Sequence, residues 1–219
     1  MQHVRLAGML VLGLASLFPV KSLAQAPGSS YVYIIPYVTT ENNSRSNLGL
    51  NGYILDSIVK GPNPGANVLV QLYDPQGKLA GSGNYVVQPN QLVQVNNVIA
   101  ALGGTIGTGW LMISSDEPVT AWASVILNST NDPSIELAID FQGRKPTAYV
   151  EGIARGDEPT RLLIQSSVKS GTFQSSLAVV NLGGGGSFTI DTYDNNGGLL
   201  GSKSVTIGDS GMYVYYFLR

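Results

Sequence analysis

The sequence has no cysteine and only one histidine, His3, among its 219 residues. Without cysteine the chain forms no disulfide and has no thiol nucleophile, so its fold depends on the apolar core alone. Charged residues make up 12% of the chain and form no run of one sign. This excludes the clustered lysines and arginines that bind nucleic acid.

The N-terminal apolar run is too short to cross a membrane. It extends from Leu6 to Val20, about 15 residues where a bilayer needs about 20, and Pro19 interrupts it. Arg5 precedes the run and small residues follow it, an order typical of a secretory signal peptide. We predict a signal peptide at residues 1–24, cleaved near Ala24 or Ala26, and a secreted protein that is extracellular or periplasmic.

Cleavage would remove the histidine and part of the positive charge. Of the 12 basic residues, Arg5 and Lys21 lie in this segment, which leaves 10 against 14 acidic residues. A mature chain without histidine or cysteine has no general base of the histidine type and none of the usual zinc, copper or haem ligands. We therefore expect a protein that is not an enzyme.

Short β-strand patterns separated by Gly, Asn and Pro turns fill the rest of the sequence. Residues 31–35 form an aromatic and β-branched run that we expect Pro36 to end. Residues 68–73 alternate as a half-buried strand does, and residues 98–102 fit a single helical turn before Gly103. No window has helical periodicity over three turns, so the pattern predicts an all-β sandwich.

Part of the chain reads as a unit that occurs twice. Residues 47–51 resemble 176–181, and residues 68–79, with an Asp-Pro-Gln-Gly turn, resemble 188–199, with an Asp-Asn-Asn-Gly turn. We predict two tandem immunoglobulin-like β-sandwich domains, residues 29–140 and 147–219. The second is an incomplete repeat of the first, because no counterpart of residues 110–127 follows it. An edge left open in this way favours self-association or pairing with a protein partner.

Three sets of residues resemble parts of catalytic or phosphate-binding sites, but each lacks residues or an arrangement that such a site needs. Gly208-Asp209-Ser210-Gly211 resembles a serine-protease motif without a histidine, and it aligns with the turn at residues 88–91. The run of glycines at 183–186 precedes a strand pattern rather than a Lys-Ser helix start. Asp116 and Glu117 are neighbours in one turn, which does not give two opposed carboxylates. All three sets are expected to be loops and turns.

Calcium is the one ion whose preferred ligands occur together. Asp191, Asp194 and Asn196 place oxygen atoms around the Gly197 turn, but without EF-hand spacing. Turn-forming side chains explain the same residues, so we predict no cofactor and keep Ca²⁺ as the alternative.

Aromatic side chains are the remaining candidates for a ligand or partner surface. They are suited to stacking on a polysaccharide or to packing against a protein, and equally to filling the core. The candidate residues are Trp110, Trp122, Tyr213, Tyr215, Tyr216 and Phe217. The last segment, 213–218, is apolar on both faces and therefore requires cover on both.

Residues 109–123, with Ser-Asp-Glu-Pro between two strand patterns, resemble uncharacterised secreted repeat proteins of bacteria. The Tyr-Asp-x-x-Gly hairpins at Tyr73 and Tyr193 are similar to the central hairpin of those proteins. The resemblance implies an immunoglobulin-like sandwich at the cell envelope or outside the cell, and it supplies no catalytic residues.

These observations predict a secreted, non-enzymatic structural or adhesive protein of the bacterial envelope or extracellular space. A carbohydrate-binding module that uses exposed aromatic residues is the alternative. An outer-membrane β-barrel is a third hypothesis, but it needs strands of about ten residues, whereas the strands here read as short.

Overall fold

The structure is a computed structural model, and it describes residues 11–14, 31–52, 65–140, 176–182 and 184–216. Within these ranges 67% of the residues are in β-strands and 3% in a helix, which confirms the all-β prediction. The elements are β1 (Val11–Leu14), β2 (Tyr31–Thr39), β3 (Ser44–Gly52), β4 (Ala66–Tyr73), β5 (Leu79–Val87), β6 (Leu92–Val95), α1 (Val98–Ala101), β7 (Thr108–Ser115), β8 (Val119–Leu127), β9 (Asp132–Leu137), β10 (Ile139–Asp140), β11 (Ser176–Asn181), β12 (Gly186–Tyr193), β13 (Leu199–Ile207) and β14 (Met212–Tyr216).

Residues 31–52 and 65–140 form two antiparallel sheets packed face to face. One has the strand order β10-β2-β7-β4-β5 and the other the order β6-β3-β8-β9. Alternate side chains of each strand point between the sheets, and the helical turn α1 covers one end of the core. The largest fully buried side chains of this core are those of Ile35, Leu48, Leu50, Leu72, Leu111 and Ile113.

The expectation that Pro36 ends the first strand was wrong. β2 continues to Thr39, and its pairing with β7 shifts between Ile35 and Val38. Proline cannot donate a ladder hydrogen bond, and the irregularity places it where no such bond is needed. The strand therefore continues past Pro36.

Residues 176–182 and 184–216, together with β1, form two further sheets. In the first, β11 lies between β14, with which it is antiparallel, and β1, with which it is parallel. In the second, β12 and β13 form an antiparallel hairpin. The strand β1 comes from within the predicted signal peptide.

The four sheets stack in layers, with the sheet of β11 and β14 in an inner position. One of its faces, with Ala178, Val180 and Met212, packs on the outer face of the five-stranded sheet. Its other face, with Leu177 and Val179, packs on the β12–β13 hairpin. Residues 213–216, the described part of the segment that is apolar on both faces, thus have a packed layer on each face, as the sequence predicts.

The same layering explains why β4 departs from a half-buried pattern. Its first residues alternate between buried and exposed, whereas its last four, ending at Tyr73, are all buried. Tyr73 lies on the outer face and packs into the cluster beneath β11. Part of this cover comes from the second unit, through residues such as Ala178 and Val180, so the local sequence pattern could not predict it.

Two hairpins have the same strand register when one is shifted by 120 positions. Ala66 pairs with Val87 in the first and Gly186 with Ile207 in the second, and each has a register shift just before its tyrosine, Tyr73 or Tyr193. The pairing of β3 with β6 corresponds to the pairing of β11 with β14. Leu48 pairs with Val95 in the first, and Leu177 pairs with Tyr215 in the second. The boundary predicted between residues 140 and 147 lies outside the described residues.

Candidate functional site

Trp110 is fully buried between the two units. It lies on the outer face of the five-stranded sheet and stacks on Tyr73, with ring centroids 4.5 Å apart and planes 13° from parallel. Its indole Nε1 donates a hydrogen bond to the carbonyl oxygen of Ser210 at 3.0 Å. Trp110 therefore has a packing and positioning role between the units and offers no surface to a ligand.

The turn at 208–211 is held by the first hairpin as well as by Trp110. The backbone N–H of Met212 donates to the carbonyl oxygen of Pro75 at 2.9 Å. Gly77 has a φ of +82°, and a Cβ there would overlap the carbonyl oxygen of Asp209. The two turns thus approach so closely that glycine is needed at this position.

Trp122 has a different environment, on the outer face of the four-stranded sheet. It is half-buried in β8 and lies across Gly49 of β3, where a Cβ would overlap the indole ring. Leu137 lies opposite Trp122 on β9, and Ile135 is the next residue on that face; they are 70% and 62% exposed. Trp122 and these two side chains form an apolar surface, named here the β8–β9 surface.

The C-terminal aromatics lie on both faces of β14. Tyr213 and Tyr215 pack against the β12–β13 hairpin, and the Lys203 ammonium lies 5.5 Å and 5.9 Å from their ring centroids. The pKa of Tyr37 is raised far above its ordinary value. Burial is the largest cause, and a hydrogen bond with the side chain of Tyr216 is the second. Phe217 lies outside the described residues. The five described candidates therefore do not form one surface.

The polar motifs stabilise turns. Ser210 has a φ of +56°, and its counterpart Asn90 has a φ of +61°. The backbone N–H of Gly211 donates to the carbonyl oxygen of Gly208 in the first of these turns, and that of Gln91 donates to the carbonyl oxygen of Gln88 in the second. The carboxylate of Asp116 accepts from the backbone N–H of Asn67 at 2.7 Å and from its side-chain amide at 2.6 Å. These contacts fix loops, as the sequence suggested.

The candidate calcium ligands are used in a similar way. One oxygen of Asp194 accepts from the backbone N–H groups of Asn196 and Gly198 at 2.8 Å and 2.7 Å, and Asp74 does the same in the first hairpin. Asp191 accepts from the hydroxyl of Ser202 at 2.6 Å. In the described ranges no three His, Cys, Asp or Glu residues group closely enough to hold a metal ion.

One buried carboxyl group, that of Glu136, was not predicted from the sequence. Glu136 of β9 faces inward beside Ala123, is 2% exposed, and one of its oxygens has no hydrogen-bond partner among the described residues. Burial raises the pKa of Glu136 to about 7. The alternation of β9, with Ile135 and Leu137 outside, was the only signal that could have placed this side chain in the interior.

Comparisons with known protein families, with curated proteins and with solved structures found no match. In the part of the chain that the structure describes, no helix has the length and apolar character needed to span a bilayer.

Proposed function

We propose that this chain is an exported, non-enzymatic protein with a structural or adhesive role at the bacterial envelope or outside the cell. The observation that carries the proposal is the face-to-face stacking of the two β units through Trp110 and Ser210. A stack of sheets joined by a buried aromatic contact transmits force and spaces surfaces without a catalytic centre.

The proposal includes export and duplication. The signal-peptide pattern of residues 1–24 supports export. The shared register and shared bulge of the two hairpins, at an offset of 120 positions, support descent of both units from one β unit. A secreted protein without disulfides gains stability from joining two small cores into one stack.

The experiment compares binding with turnover. Protein purified from the exported fraction is incubated with whole cells, with immobilised envelope polysaccharides, and with a panel of peptide and polysaccharide substrates. We expect retention on cells or envelope material and no release of products. The proposal would be contradicted if the purified protein converted any of these substrates to product and a competitive inhibitor abolished the reaction.

A carbohydrate-binding role is the second candidate, and Trp122 favours it. Its ring lies against Gly49 and is only half-buried, so part of the indole reaches solvent, where it could stack on a sugar ring. The test replaces Trp122 by Leu, which keeps the apolar character and removes the aromatic face. Loss of polysaccharide binding in this variant, with binding kept in a Leu137→Ser variant, would assign a sugar site. Polysaccharide binding that is equal in the Trp122→Leu variant and the unchanged protein would rule out a sugar site at Trp122.

A further inference from the structure

The corresponding strands β3 and β11 differ in one of their two neighbouring strands. β3 is paired on one edge by β6 and on the other by β8. β11 is paired on one edge by β14, whose register matches that of β6. Its other edge, where β8 lies on β3, is occupied by β1, which pairs Val11 with Ala178 and Gly13 with Val180.

That edge lies between two apolar layers. Ala178 and Val180 face the cluster that contains Trp110, and Leu177 and Val179 face the hairpin cluster that contains Val205. A strand added there is covered on both sides by apolar groups. Its side chains must therefore be apolar or small to avoid burying unpaired polar groups.

The segment that occupies the edge belongs to the predicted signal peptide. Residues 11–14 are Val, Leu, Gly and Leu, the composition that the two apolar layers require. If export removes residues 1–24, the main-chain groups of Ala178 to Val180 on this side lose their partner strand. Unpaired main-chain groups between apolar layers are costly, and pairing with another strand restores their hydrogen bonds.

We propose that the edge of β11 opposite β14 is a strand-acceptor site, which binds an extended apolar segment of another polypeptide by main-chain pairing. In the unprocessed chain β1 fills this site and prevents premature pairing. The inference rests on the export part of the proposed function and adds a site and a ligand class to it.

The test uses three forms of the protein and one probe. The forms are the full chain, the full chain with Leu12→Pro, and the processed chain that begins at Gln25. The probe is a fluorescent peptide of residues 9–16 with a lysine tail for solubility, and its control carries proline in place of Leu12, since proline lacks the N–H that strand pairing needs. Binding is measured by fluorescence anisotropy.

We expect the processed chain and the Leu12→Pro chain to bind the probe at least 10-fold more tightly than the full chain, in which β1 competes at a high effective concentration. The control peptide should lose this binding. Hydrogen exchange at the amides of Ala178 and Val180 should slow when the probe binds. Equal binding to all three forms, or none to a folded processed chain, would overturn the site.

The remaining outcomes also decide the matter. If the processed chain is unfolded alone, the probe should restore its circular dichroism spectrum, and failure to do so rules out the acceptor. A processed chain that dimerises and is not dissociated by excess probe would show that a second copy of the chain occupies the edge, and this would overturn a site for a different polypeptide. The retention and turnover experiment on exported protein judges the structural role separately, so the failure of one proposal is distinguishable from the failure of the other.

Discussion

The indole N–H of Trp110 donates to the carbonyl oxygen of Ser210, 100 positions later in the chain, at 3.0 Å. This hydrogen bond joins the turn of the second unit to the outer face of the first. It also uses the polar atom of a fully buried indole, which would otherwise be costly to bury.

Replacing Trp110 by Phe should weaken the contact between the units. The ring still stacks on Tyr73, but the Ser210 carbonyl loses its donor, so we expect a loss of about 1–3 kcal/mol in the free energy of unfolding. Urea denaturation followed by circular dichroism measures it. Trp122→Phe is the matched control, because that indole is half-buried on an outer face. Equal losses in both variants would contradict the bridging role.

The two hairpin turns offer a matched pair of glycines. Gly77 and Gly197 have φ values of +82° and +84°, so alanine at either position costs roughly 1–2 kcal/mol in backbone conformation. A Cβ at Gly77 would also overlap the carbonyl oxygen of Asp209, whereas a Cβ at Gly197 meets nothing within 4 Å.

We therefore expect Gly77→Ala to lower the melting temperature clearly more than Gly197→Ala does. The extra loss should be on the order of 1–3 kcal/mol, as for other overpacking substitutions. Differential scanning calorimetry provides the measurement. Identical shifts for the two variants would mean that the first turn does not press against residues 208–211 in solution.

Glu136 makes stability depend on pH. Its pKa is raised from 4.5 to about 7 in the folded protein, so the folded state holds its proton more tightly than the unfolded state does. The stability that this shift contributes is fully present below about pH 4.5 and is lost as the pH rises from there through 7. Glu136→Gln should add about 2–3 kcal/mol at pH 8 and little at pH 4. The exposed Glu41, replaced by Gln, is the control; a gain for Glu136→Gln that is the same at both pH values would refute this account.

Gly49 and Trp122 should be energetically coupled. Alanine at Gly49 must displace the indole ring, because its Cβ would overlap Cε2 of Trp122. In a Trp110→Phe background, Gly49→Ala should shift the emission of Trp122 to longer wavelength as the ring becomes more exposed. In a double-mutant cycle, the cost of Gly49→Ala should fall by about 0.5–3 kcal/mol once Trp122 is Ala. Independent, additive effects would contradict the observed placement of the ring.

The sequence was informative where a local pattern sufficed. Asp and Gly at positions 74 and 77, and again at 194 and 197, predicted two hairpin turns, because the Asp side chain accepts turn N–H groups and glycine adopts a positive φ. The alternation in residues 68–72 predicted a strand. The two apolar faces of residues 213–216 predicted cover on both sides.

The partners of those faces were decided only by the tertiary structure. Nothing near Trp110 in the sequence indicates that its indole reaches Ser210, since long-range contacts leave no periodic trace. The same holds for the approach of the Gly77 turn to Asp209. These contacts depend on how separate sheets stack.

Local backbone preferences and side-chain alternation, both set by neighbouring residues, therefore determined the strands, the turns and the all-β class from the sequence alone. Packing between layers determined which aromatic residues are buried, which remain on the β8–β9 surface, and which strand occupies each edge of β11. That packing reflects the burial of apolar faces that each unit cannot cover by itself. Those contacts, rather than any local motif, separate the buried Trp110 from the half-exposed Trp122.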